Sequence, residues 1–225
     1  MITKQKVKMR GPYMKKCIAL FILYLFCTCA YSHPHMWFTS EFEFQFQHNE
    51  LYGLTIVWKF DRFFSSDIIN GYDLNKDGVF NEAETDAVFQ NAFTYTSDYN
   101  YFTFIRIGSR RNSPTYIDRK YFSASQENGT LVYQFFVDLS AYKNEKEIYI
   151  ACYDYTFFCD IQYPENNVRF LDVAGKKLSY TIVENKDFPV YYDPFGSYDD
   201  TRVYYKWAPG LNTYYPKEIY VRYTD

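Results

Sequence analysis

Histidine is scarce in this chain of 225 residues: there are three, His33, His35 and His48. Cysteine is nearly as rare, and beyond residue 32 only Cys152 and Cys159 remain. The chain contains no His-Glu-x-x-His helix, no nucleophile elbow and no glycine-rich phosphate loop. Outside residues 1–32 it also lacks a redox cysteine pair. The sequence therefore offers no ground for a known type of hydrolase, nucleotide enzyme or thiol oxidoreductase, and the expectation is a protein that is not an enzyme. No internal repeat is present, which argues against a solenoid or propeller.

Basic charge is also short once the N-terminus is set aside. Residues 1–32 hold six of the 24 Lys and Arg and none of the 27 Asp and Glu, so 18 basic groups face 27 acidic ones in the remainder, a net of −9. An acidic chain is a poor partner for nucleic acid, and none is expected.

The first 32 residues read as a secretory signal. Lys4, Lys6, Lys8, Arg10, Lys15 and Lys16 form a basic region, followed by an apolar run from Cys17 to Cys29. That run is too short for a comfortable transmembrane helix. Ala30 and Ser32 are the small residues three and one before a cut, so cleavage after Ser32 is expected, with an uncleaved anchor as the alternative. The mature protein would be periplasmic or otherwise extracytoplasmic. In that oxidising setting Cys152 and Cys159 suggest one disulfide, and two buried free thiols are the alternative.

What the chain has in abundance is aromatic residues, 23% of the total. Phe42, Phe44 and Phe46 alternate with Glu41, Glu43, Gln45 and Gln47, which predicts a half-buried strand. Leu54, Ile56, Trp58 and Phe60 predict a second strand, paired with it across His48-Asn49-Glu50. Most of the aromatics thus read as strand core and not as a ligand-stacking surface.

Asp61 predicts the cap of a helix from Arg62 to about Tyr72. A second helix is expected from near Glu82 to near Ser97. Between them, Asp73, Asn75, Asp77 and Asn81 place side-chain oxygens at positions one, three, five and nine of a twelve-residue loop. Gly78 is sixth, Val79 is seventh with a backbone carbonyl to offer, and Glu84 is twelfth. This fits the EF-hand calcium loop at every fixed position, and Ca2+ is the expected ligand. The plainer alternative is a polar turn with an Asn81–Glu84 capping box.

Beyond Tyr101 the pattern is β. Candidate strands run over 101–107, 115–124, 130–139, 147–153, 157–163, 168–172 and 177–183, and 217–223 closes the chain. Turns are marked at Asn128-Gly129 and Ala174-Gly175. The expected class is α+β: a mainly antiparallel β-sandwich with an inserted EF-hand-like helix-loop-helix. Residues 33–184 would form the β-rich domain, with the insertion at 61–98. The Tyr- and Pro-rich residues 185–225 would be an extension packed on it. Asp193, Asp199 and Asp200 there are either a second cation cluster or solvated loop acids.

Several short stretches, taken together and in order, resemble the bacterial domain of unknown function 1007 family. They are His33-Pro34-His35-Met36-Trp37-Phe38, Trp58-Lys59-Phe60-Asp61, the Asp73–Glu84 loop, Tyr99-Asn100-Tyr101-Phe102-Thr103, Cys152-Tyr153-Asp154 and Tyr215-Pro216-Lys217-Glu218. The chain departs after Asp154, where the family often has Pro and this chain has Tyr155. The resemblance implies a periplasmic component of an ABC-type transport system. Some members are associated with nickel, cobalt or zinc transporters. It implies no established activity.

With cleavage after Ser32, His33 would be the new N-terminus, offering an α-amine and imidazole, with His35 two residues on. Pro34 has no N–H to lose, which rules out the motif that uses two deprotonated backbone amides. Two imidazoles and an amine suit Ni2+, Co2+, Zn2+ or Cu2+. The alternative is a pair of exposed polar residues near a cleavage point. Two functional expectations result. One is an exported divalent-metal-binding accessory protein of a metal transport system, with calcium structural in the EF-loop. The other is a calcium-stabilised envelope scaffold that binds a polymer or protein partner.

Overall fold

Phe38, Phe42, Phe44 and Phe46 all turn to one side of the first strand, β1 (Met36–Gln47), and into a common core. The computed structural model describes residues 33–173, 175, 177–197 and 199–224. The expected signal segment and Ala174 of one expected turn lie outside the described residues. His48 and Asn49 take left-handed conformations, with φ of 50° and 64°, and reverse the chain into β2 (Glu50–Phe60). Tight hairpins require that geometry, because it matches the twist of the flanking strands.

β1 and β2 lie inside a six-stranded sheet. β2 pairs antiparallel with β6 (Thr130–Asp138), which pairs with β5 (Ser123–Glu127). On its other edge β1 pairs in parallel with β8 (Cys159–Gln162) and then β9 (Val168–Leu171). A second sheet has the order β10 (Lys177–Glu184), β13 (Lys217–Thr224), β7 (Glu147–Cys152), β3 (Thr103–Ile107), β4 (Arg110–Asn112). The C-terminal strand is thus interior to its sheet. β11 (Val190–Tyr192) and β12 (Asn212–Tyr214) form a short ribbon. The architecture is α+β with mostly antiparallel pairing, and both sheets contribute to the same core: Phe46 of the first meets Tyr223 of the second at 5.4 Å between ring centroids.

Two helices leave the first sheet after β2. α1 (Arg62–Tyr72) is capped by Asp61, whose carboxylate accepts from the Phe63 and Phe64 amides at 2.7 and 3.1 Å. Ser65 ties α1 to the sheet: its hydroxyl donates to the Phe60 carbonyl and accepts from the Leu131 amide at 2.9 Å. α2 (Glu82–Asn91) follows the polar loop. The rings concentrate where helix meets sheet. Phe93 lies within 4.6–6.0 Å of Phe122, Phe135 and Trp58, and all four are buried. Rings of this size bury the most apolar area per residue, so the aromatic abundance is largely a core property.

Three expectations are corrected. α2 ends at Asn91 and not near Ser97; Ala92 leaves helical geometry, and a 3-10 stretch with a left-handed kink at Asn100 and Tyr101 takes over. Residues 115–124 are not one strand: the Asp118 carboxylate accepts from the Lys120 amide and turns the chain into a 3-10 turn at Arg119–Tyr121. Such local side-chain bonds divert a backbone from a ladder. Cys152 and Cys159 form no disulfide; they are the two buried free thiols of the alternative, in different sheets.

Candidate metal sites

The polar loop between α1 and α2 is built by its own side chains. Asp73 Oδ2 accepts from the Gly78 amide at 3.0 Å, Asn75 Oδ1 from the Asp77 amide at 3.0 Å, and Asp77 Oδ1 from the Val79 amide at 2.8 Å. Gly78 has φ of 82°, a region that side chains resist. Glu84 closes the loop from α2. Its Oε1 accepts from the Leu74 amide at 2.9 Å and its Oε2 from the Asn81 amide at 3.0 Å. Asn81 returns the contact by accepting from the Glu84 amide at 3.0 Å, completing a capping box. The loop is docked on the first sheet, because Gln126 of β5 donates to the Gly78 carbonyl at 3.0 Å.

The capping box explains Asn81 and Glu84, but not Asp73. That residue is 6% exposed, and its Oδ1 is buried without a hydrogen-bond partner. A buried carboxylate oxygen left unpaired costs several kcal/mol. Asn75 and Asp77 instead partly satisfy each other, the Asn75 amide donating to Asp77 Oδ2 at 2.8 Å. Val79 is exposed.

His33 and His35 come together at the start of β1. Their rings meet edge to face at 4.7 Å between centroids, across a cis His33–Pro34 bond, and both lie against the Phe158 ring. The His35 amide donates to the Phe158 carbonyl at 2.8 Å, which fixes this segment to the turn before β8. His33 is buried, contrary to the reading of both imidazoles as exposed polar groups. His33 Nδ1 and His35 Nε2 are each buried without a hydrogen-bond partner.

A C-terminal strap closes over the pair. Burial lowers the His35 pKa, the neighbouring His33 lowers it further, and a hydrogen bond to the Ser197 backbone opposes both. A methyl group on Gly196 would stand 2.7 Å from Asp200 Oδ2 and 3.1 Å from His33 Nε2, so carboxylate and imidazole crowd the same point. Asp200 is held by a two-point ion pair with Arg202, at 2.7 and 2.6 Å. The Arg202 guanidinium, with a smaller contribution from His33, pulls the Asp200 carboxyl down to about 2. His35 thus has one nitrogen bonded to the Ser197 backbone and the other left free, the arrangement that orients a metal-ligating histidine. His48 is in the β1–β2 turn, far along the chain from this pair, and its backbone is left-handed.

Of these residues, sequence reasoning found the loop and the histidines but not Ser197, Gly196 or Arg202. Asp200 was grouped with Asp193 and Asp199, yet these acids do not form a cluster: Asp193 accepts from the Phe195 amide at 2.9 Å and Asp200 pairs with Arg202. The only advance signal for the Asp200–Arg202 pair was its spacing of two residues. Among the described residues no three His, Cys, Asp or Glu side chains gather in a group that could hold a metal ion. The loop's further oxygens come from Asn side chains and a backbone carbonyl, which are other ligand types.

Behind Phe158 lies an apolar cavity of about 300 Å³, lined among others by Trp58, Phe60, Tyr99, Tyr133 and Asp154. Burial raises the Asp154 pKa, against hydrogen bonds from Thr156 and Cys159. Burial likewise pushes the Cys152 thiol up to about 12, so it stays protonated at neutral pH in the metal-free protein.

No helix among the described residues is long and apolar enough to cross a membrane. The chain is similar to an uncharacterized 15.5 kDa protein in the trpE 3' region of Spirochaeta aurantia. The identity is 28% over 147 residues, covering 63% of this chain and 99% of the relative. No solved structure matches. The profile described as "Protein of unknown function (DUF1007)" matches residues 18–223, nearly the whole chain, including the His-Pro-His start, the Asp73–Glu84 loop and the C-terminal strap. The chain therefore belongs to the DUF1007 family.

Proposed function

We propose that the protein is an exported accessory protein that binds a divalent transition metal through His33 and His35, in company with a membrane transporter for nickel, cobalt, zinc or a similar ion. The observation that supports this reading is the pair of buried, unpartnered imidazole nitrogens at rings 4.7 Å apart. A neutral imidazole nitrogen is a good ligand for Cu2+, Ni2+, Co2+ and Zn2+. In this proposal Ca2+ occupies the Asp73–Glu84 loop in an EF-hand-like insertion of a β-sandwich, and has a structural role. The unpartnered Asp73 oxygen favours an ion there over a simple turn. The protein carries out no reaction of its own, and its cargo is the metal.

The test is titration of the four transition metals into protein processed to begin at His33, and into the His33→Ala/His35→Ala double variant. Saturable binding by the first and its loss in the second are expected, with calcium binding unchanged in both. Equal binding to both proteins would reject the site. A second reading, an envelope scaffold, is favoured by Phe195, Tyr205 and Trp207, which are 64%, 87% and 58% exposed in the C-terminal segment. Glycan or partner binding without stoichiometric metal would support that reading.

A further inference from the structure

Among the described residues, Arg111 is a cation in no ion pair. It stands on β4 directly opposite Arg106 on β3. Arg106 is neutralised: its guanidinium meets the buried Glu218 carboxylate at 3.0, 3.2 and 2.5 Å. Among the described residues no second carboxylate pairs with Arg111, and Glu218 acts on it only through its charge, without a hydrogen bond. Its side chain has no hydrogen bond or ion pair among the described residues, and its Nη2 is buried without a partner. Its guanidinium carbon instead lies 3.9 Å from the centroid of the Phe104 ring, 4.5 Å from Phe188 and 5.0 Å from Tyr153. Burial, only partly offset by Glu218, lowers its pKa to about 10. Even so the group is charged at neutral pH.

These rings attract a cation through their π faces, but they accept no N–H bond of normal strength. The donors of the guanidinium lie in its plane, arranged as a fork. The partner that satisfies such a fork is a planar oxyanion accepting two parallel bonds. Space for one exists. Arg111 lines a surface pocket of about 660 Å³, whose walls include Phe104, Tyr153, Tyr155, Phe188 and Tyr204. The carboxylate in that lining, Asp187, is exposed and makes no ion pair with Arg111 among the described residues. Aromatic walls of this kind stack a flat organic body and favour it over a small, strongly hydrated inorganic ion. The pocket is separate from the histidine pair and from the calcium-type loop, and neither of those sites uses Arg111.

We propose that this pocket binds a small planar organic carboxylate, its charge held by the Arg111 guanidinium and its body against the surrounding rings. Benzoate is the probe, benzamide its uncharged analogue, and sulfate the inorganic comparison. Calorimetry on the full wild-type protein is expected to show saturable benzoate binding, with benzamide and sulfate at least about tenfold weaker for want of a charge-assisted fork or a ring to stack. Arg111→Met is expected to weaken benzoate by about tenfold or more, and Arg111→Lys, which keeps the charge without the fork, to fall between. Nitrogen NMR of the arginine side chains should show the Arg111 signal moving on benzoate addition. That measurement and the three-ligand comparison need only the wild-type protein, so they decide the matter even where a variant does not fold. No saturable benzoate binding overturns the proposal, as does equal affinity for benzamide, equal affinity for sulfate, or unchanged affinity in Arg111→Met.

Discussion

Asp200 Oδ2 and His33 Nε2, from opposite ends of the described chain, come within 2.7 and 3.1 Å of where a side chain on Gly196 would begin. Gly196 thus packs the C-terminal strap close to the first described residue. It makes the burial of His33 depend on a segment some 160 residues away in sequence.

Gly196→Ala tests the contact. A methyl group there would force apart groups held by the Asp200–Arg202 pair, and overpacking of this kind costs about 1–3 kcal/mol. Chemical denaturation should show that loss, and metal affinity at His33 and His35 should fall with it. An unchanged midpoint would mean that the strap yields freely.

Asp200 should also leave a mark on acid stability. Its carboxyl goes from the ordinary 3.8 to about 2 in the folded protein, chiefly through Arg202. A depressed acid stabilises the fold above its unfolded pKa and loses that contribution as pH falls through the folded value. The wild-type protein should therefore lose stability between about pH 4 and pH 2 more steeply than Asp200→Asn. Parallel melting curves for the two proteins across that window would show the pair to be inert.

Glu84→Gln separates cap from cation. The single amide oxygen can still accept from the Asn81 amide and keep the capping box, so the metal-free helix should remain, while the bond from the Leu74 amide is lost. The lost charge and bidentate clamp should remove most calcium affinity, expected at roughly 10⁻⁴–10⁻³ M in the wild-type protein. Calorimetry at millimolar calcium measures both. No heat from the wild-type protein would leave the loop as a capped turn.

Ser65→Ala should be costly for so small a change. The hydroxyl accepts from the buried Leu131 amide at 2.9 Å. Its removal strands that donor, at about 1–3 kcal/mol. Hydrogen exchange should show the Leu131 amide losing protection ahead of its neighbours in β6.

Local chemistry was legible in the sequence. Period-two phenylalanines made β1 whatever lay beside it, because alternation alone puts one face in the core. Asp61 started α1, and the alternating oxygens with Gly78 shaped the loop, because each acts on residues two to five positions away. The His-Pro-His start was legible as chemistry but not as a place. Tertiary structure decided what depends on distant partners. It set β8 and β9 parallel to β1, and it put the last strand between β10 and β7. It carried Cys152 and Cys159 into different sheets, turned 115–124 out of the ladder, and brought both Asp200 and His33 close to Gly196. Arg111 shows the limit most plainly. Its residue type is in the sequence, but its place on β4 and its lack of an ion pair among the described residues are not. The latter was decided when Glu218, more than a hundred residues on, paired with Arg106 instead.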